Sequence, residues 1–170
     1  MALAPALRRL LPADAAAYRE LRLEGLECHP EAFGAAWEDE ADKPLDWFAR
    51  RLQANTVIGG SVFGAGLDGV AGLMVPQPAK QRHRGVLWGM YVRPDARGSG
   101  LAAALVQQVV LAARGQVEAI RLTVVASNPA AIRVYQAAGF REYGLERRGL
   151  KLGATYYDEM LMDRAVDPLP

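Results

Sequence analysis

A single cysteine, Cys28, is all the thiol in the chain, so no disulfide can close within it and the stapled architectures of small extracellular domains are excluded. Histidine is almost as scarce, and no group of histidine, cysteine and aspartate stands at ligand spacing, so no metal is expected. No apolar run reaches the roughly 18 residues of a membrane-spanning helix, and no membrane partner is expected. Met1-Ala2-Leu3-Ala4-Pro5 lacks the charged start and long apolar stretch of a secretory leader, which with the lone thiol makes a cytoplasmic setting the expectation. An excess of one charge is missing too. Twenty Lys+Arg face 19 Asp+Glu for a net +1, which leaves no broad footprint for nucleic acid. Arginine clusters such as Arg50-Arg51 and Arg147-Arg148 read as solvated faces or turns.

What is present fits one soluble domain over residues 1–170, with 51% hydrophobic residues available for a core. Leu7 to Leu11 reads as a strand ended by Pro12. Ala17, Leu21, Gly25 and Cys28 follow at helical spacing, predicting a helix over about 13–27, and Leu45, Phe48, Ala49 and Leu52 mark a second after Pro44. Thr56 to Ala65 and Val70 to Val75 read as a hairpin turning at Asp68-Gly69. Within it, Gly64-Ala65-Gly66-Leu67-Asp68-Gly69 matches the dinucleotide-binding glycine pattern letter for letter. That pattern has meaning only between a strand and a helix, and here a strand follows, so the reading is rejected. Ala119 to Val125 alternates as a strand, while Phe140 to Leu150 and Thr155 to Asp163 close the chain as two more.

The chain is organised around the stretch from Leu87 to Ala113. Leu87 to Val92 is a short apolar strand broken by Pro94-Asp95, and from Gly100 the apolar residues Leu101, Leu105, Val109 and Ala112 mark one face of a helix. Between them lies Arg97-Gly98-Ser99-Gly100. A glycine turn entering a helix leaves the first N–H groups unpaired and aimed at one spot, with the positive end of the helix dipole behind them. Such a turn suits phosphate, and Arg97 adds a permanent cation.

A second segment, Asn128-Pro129 through Gly139-Phe140, predicts a helix with Asn128 as its cap, proline in its first turn and glycine at its end. Tyr135 lies two turns from Asn128, on nearly one face. Taken alone, it either packs its ring or does chemistry. Together, the two segments resemble the GNAT superfamily of acyl-CoA-dependent N-acetyltransferases. Arg97-Gly98-Ser99-Gly100-Leu101-Ala102 is similar to that family's pyrophosphate-binding pattern, and Asn128 to Phe140 to its second signature, with one helix and one strand between them.

The resemblance implies an α/β (α+β) single-domain GNAT-like fold, its mixed central sheet of about seven strands flanked by about four helices. It implies acetyl-CoA as cosubstrate, a small-molecule or peptide amine as acceptor, and direct transfer of the acetyl group. In such proteins the pantetheine arm pairs with the fourth strand, here Met90, Tyr91 and Val92. The pyrophosphate rests on the turn from Arg97 to Ala102, Asn128 bonds further along the cofactor, and Tyr135 protonates the leaving sulfur. Dimers are common among such proteins, so a homodimer is one assembly the resemblance allows. A noncatalytic acyl-CoA-binding module on the same fold is the alternative, and Tyr135 argues against it, because a binder has no need of a proton donor beside the sulfur.

This chain departs from the family at two points: Ala138 stands where a basic residue often precedes Gly-Phe, and the general base is unassigned. Many members carry a glutamate on the fourth strand as general base, yet Val86 to Val92 holds no carboxylate. Glu24, Glu27, Glu31, Glu38 and Glu159 are the acids to which water could relay the proton, although each taken alone reads first as a plain surface acid. Phe33 and Trp37 read either as acceptor-pocket walls or as core.

Overall fold

The structure, a computed structural model, describes residues 4–64 and 66–167. Seven strands, β1 (Ala6–Arg9), β2 (Thr56–Ser61), β3 (Gly69–Met74), β4 (Arg84–Val92), β5 (Ala119–Val125), β6 (Arg141–Leu152) and β7 (Thr155–Ala165), form one sheet in the order β1-β2-β3-β4-β5-β7-β6. Five helices accompany them: α1 (Ala15–Cys28), α2 (Trp37–Glu40), α3 (Leu45–Ala54), α4 (Leu101–Ala113) and α5 (Pro129–Ala137). Every neighbouring pair is antiparallel except β4 and β5. Those two are joined by α4, the crossover a parallel pair requires. The expected mixed sheet with about four substantial helices is what forms, α2 being a single turn.

The two faces of the sheet carry separate cores. Leu101, Leu105, Val106 and Val109 of α4 are wholly buried and pack with Ile58, Ala71, Leu73, Ile120, Leu122 and Val124. Each such side chain contributes about 1.5–3 kcal/mol relative to exposure. Gly60 lets α4 lie this close, since a Cβ there would meet Leu101 Cδ1 at 2.5 Å. On the opposite face Tyr18 and Leu21 of α1 and Phe48 and Leu52 of α3 pack with Val57, Val70 and Tyr91.

Some expected boundaries move, each for a visible reason. The second strand ends at Ser61 rather than running to residue 65, because the Asp68 carboxylate accepts from the N–H groups of Val62 (2.7 Å) and Phe63 (3.2 Å) and bends the chain. Of the dinucleotide-like glycines, Gly64 and Gly66 thus sit in a hairpin loop and Gly69 opens β3, with Ala65 itself outside the described residues. The first strand stops at Arg9, although the Leu10 N–H still donates to the Val57 carbonyl at 2.8 Å. The acidic stretch before Pro44 hides α2, whose Glu40 is buried against arginines rather than solvated.

β4 and β5 part company halfway. Their ladder holds only Arg84–Val86 against Ala119–Arg121, after which β4 continues on β3 and β5 on β7. The β3–β4 register steps from Val70↔Tyr91 to Gly72↔Trp88, so β4 carries one extra residue there. Gly89, at φ 63°, supplies the left-handed turn of that bulge.

Candidate active site

The parting leaves one edge of each strand without a ladder partner beyond Val86 and Arg121. An extended chain can occupy such a slot by completing the missing bonds. Two clefts meet there. The first, about 670 Å³, is bounded by β4, the glycine turn, the start of α4, and α5. The second, about 690 Å³, is bounded by Arg22, Trp88, Gly89, Thr123, Glu146 and Glu159 among others. Both are lined by Ala32, Phe33, Met90, Val125, Asn128, Ala131 and Tyr135.

Of the residues singled out in the sequence, Met90, Tyr91, Val92, Arg97, Gly98, Gly100, Ala102, Asn128 and Tyr135 line the first cleft. Ser99 and Leu101 do not. The Ser99 hydroxyl donates to the Ala96 carbonyl (2.6 Å) and accepts from the Leu101 N–H (3.3 Å), while the Leu101 side chain is wholly buried. Those two residues shape the turn and leave its open face to others. Gly98 and Gly100 take φ of 76° and 87°, a backbone that side chains rarely adopt, and a Cβ on either would meet nothing within 4 Å. Among the described residues no carbonyl accepts from the N–H groups of Gly98, Gly100, Ala102 or Ala103. Four unspent donors at the start of a helix thirteen residues long make an anion cradle.

Arg97 is held across the mouth, its Nε donating to the Val92 carbonyl (3.1 Å) and its Nη2 to His29 Nε2 (3.0 Å). Asn128 caps α5 by accepting the Ala131 N–H at 3.2 Å, as its position before Pro129 predicted. Its amide nitrogen has no partner among the described residues. Tyr91 contributes backbone to the slot but sends its ring to α1, where its hydroxyl donates to Glu24 Oε1 at 3.0 Å. Burial, then Glu24, push this phenol up to about 12. Tyr135 is 6% exposed and stacks edge-on with Phe140, and burial alone raises its phenol well above the usual value. It therefore carries its proton at neutral pH.

The five acids now separate. Glu24 is bound to Tyr91 and Arg93, while Glu27 and Glu38 face a smaller cleft near Trp37, which Glu31 shares with the first cleft. Only Glu159 lies in a cleft with Tyr135 and also has a shifted carboxyl. Desolvation raises it, the Thr123 hydroxyl pulls it down, and Glu146, its cross-strand partner, raises it again. Gly149 makes room for it, since a Cβ there would stand 2.7 Å from Glu159 Oε2. Phe33 proves to be a cleft wall, while Trp37 is 39% exposed beside the smaller cleft. Arg22 was not expected. Its spacing four residues after Tyr18 and three before Gly25 was the available signal, since it places Arg22 on the buried face of α1.

Residues 15–140 match the family model of the acetyltransferase (GNAT) family. The fold is shared with solved structures of that kind. A GNAT-family acetyltransferase from Streptococcus pneumoniae superposes with a TM-score of 0.84 at 22% identity, over 96% of this chain and 100% of its own. The putative acetyltransferase yncA from Salmonella typhimurium, solved with acetyl-CoA, gives 0.79 at 21% identity over 97% and 95%. A GNAT-superfamily phosphinothricin acetyltransferase from Sinorhizobium meliloti, in complex with acetyl-CoA, gives 0.81 at 20% identity over 96% and 89%. The chain belongs to the GNAT family of acetyltransferases.

Proposed function

We propose that the chain, as a single domain over residues 1–170, is a cytoplasmic N-acetyltransferase that moves an acetyl group from acetyl-CoA to a primary amine by direct attack. The observation that carries this reading is Tyr135, a buried and protonated phenol lining both clefts where they meet. A module that only bound acyl-CoA would have no use for a proton donor at that junction.

Acetyl-CoA supplies an activated thioester. The backbone of Met90, Tyr91 and Val92 pairs with the pantetheine arm in the slot beside β4, and the N–H groups of Gly98, Gly100, Ala102 and Ala103 hold the pyrophosphate. Ser99 and Leu101 support that turn from behind, Arg97 adds positive charge at its edge, and the Asn128 amide donates further along the arm. A backbone N–H near Val92 stabilises the oxyanion formed when the amine nitrogen attacks the thioester carbon. Glu159 takes the proton the amine must lose, directly or through one water, and desolvation in the cleft raises its carboxyl, which makes it a stronger base than an exposed glutamate. As the C–S bond breaks, Tyr135 gives its phenolic proton to the departing sulfur.

The test is the release of CoA thiol on a panel of amines. Tyr135→Phe should lower kcat by two orders of magnitude or more, within the range of about 10²–10⁴ for a general acid, with acetyl-CoA affinity unchanged. A wild-type protein that binds acetyl-CoA but turns over no amine would instead favour the binding module.

A further inference from the structure

The second cleft carries more information than a place for an amine. Arg22 is 6% exposed, and its Nε and Nη2 donate to Glu40 Oε2 (3.0 Å) and Oε1 (2.9 Å). The same carboxylate receives Arg51 Nη1 at 3.1 Å from both of its oxygens. Two guanidiniums thus share one carboxylate, and the cluster carries an excess positive charge. Phe33 and Trp88 flank the Arg22 guanidinium, 5.4 and 5.8 Å from their ring centroids. That packing, with the bidentate pair, fixes its plane.

The third nitrogen, Nη1, has no hydrogen-bond partner among the described residues. It lies 3.7 Å from where a Cβ on Gly89 would stand, at the bulge where β4 leaves β5. Tying α1 to α2 accounts for Nε and Nη2 but gives Nη1 nothing to do. Arg22 lines the cleft, and Nη1 is the guanidinium nitrogen left for a ligand there; a planar carboxylate is the acceptor that matches its geometry and charge. Across the same cleft stand Glu146 and Glu159. The cleft thus has Arg22 by Gly89 and the two carboxylates on the β6–β7 wall, with Arg121 of β5 also in its lining.

We infer that the acceptor is a free amino acid or a similarly small amine bearing a carboxylate, and that Arg22 is the specificity residue that receives that carboxylate on Nη1. The ammonium end then faces Glu159 and the thioester. A polyamine would set its second cation against the Arg22–Arg51 excess, and a lysine within a protein chain would offer Nη1 no carboxylate. This inference rests on the transferase reading above.

Matched triplets test it: an amino acid, its carboxamide and its decarboxylated amine, for several side chains, assayed by CoA release. The acid should exceed the other two in kcat/KM by tenfold to a hundredfold, the range for one charge-assisted hydrogen bond. Arg22→Met, in which Glu40 keeps Arg51, should erase that preference by raising KM for the acid alone. Equal use of all three in the wild type overturns the proposal, as does a variant that loses all three alike. The wild-type ladder decides even if the variant does not fold. Should acetyl-CoA bind without any turnover, the transferase reading fails separately. The thermal midpoint with CoA and free amino acids then decides the carboxylate site, an upward shift for acids only supporting it and no shift overturning it.

Discussion

Val86 and Arg121 are the last residues at which β4 and β5 face each other across a ladder, and the slot of the candidate site begins immediately beyond them. Gly89, three residues on, bends β4 through a left-handed backbone in a space that would admit a methyl group, the nearest atom being 3.7 Å away. Gly89→Ala should therefore act through backbone strain, costing about 1–2 kcal/mol of stability. As the bulge relaxes, KM for acetyl-CoA should rise several-fold. Urea titration with steady-state kinetics checks both.

Gly25→Ala poses a contest between two effects of known size. Alanine gains about 1 kcal/mol in helix propensity, while overpacking costs about 1–3 kcal/mol. The new Cβ would stand 3.0 Å from Tyr91 Cγ, on a ring held by its bond to Glu24 and closed in by Phe33. Overpacking should win, and the thermal midpoint should fall.

Much of this was legible in the residues. The glycine turn and the Asn128 cap sit in short segments whose chemistry is local, so their residues marked them, whereas Tyr135 was singled out by the resemblance those segments carry to the family. Residues whose role depends on tertiary neighbours were harder to see. Glu40 looks like one acid of an exposed run, and only the approach of α1 and α3 makes it the buried partner of Arg22 and Arg51. Ser99 and Leu101 match the pattern of the turn, yet one braces it and the other fills the core, because alternate positions of a tight turn face opposite ways. Glu159 stood among five equivalent acids until strand pairing set it in a cleft with Tyr135.

Glu40→Gln should destabilise the protein by about 3–5 kcal/mol, because Arg22 would be left buried without its counter-charge. Arg22 and Arg51 hold the Glu40 carboxyl below the usual 4.5, against the desolvation that would raise it. Arg8 does the same for Asp14, and the N–H groups of Val62 and Phe63 for Asp68. A depressed carboxyl stabilises the fold above its unfolded pKa, and that stability is lost as pH falls through the folded value. Glu159 has the opposite sign, its contribution fading as pH rises through its raised value. The three depressed groups should dominate, so the thermal midpoint should drop between about pH 5 and pH 2, and less steeply in Glu40→Gln.

The rate should follow Glu159. As a base it acts only when ionised, so kcat/KM should rise with pH through a carboxyl value above the ordinary 4.5. Glu159→Gln should remove that acidic limb and lower kcat by about 10²–10⁴-fold, with acetyl-CoA affinity retained. An unchanged limb in the variant would assign it to another group.

The most direct measurement is amide hydrogen exchange with and without saturating acetyl-CoA. Slowed exchange at Met90 to Val92 and at Gly98 to Ala103, with no effect from NAD, is the result predicted by a cofactor lying in the β4–β5 parting with its pyrophosphate on the glycine turn. Protection confined to other segments, or none at all in folded protein, would contradict it.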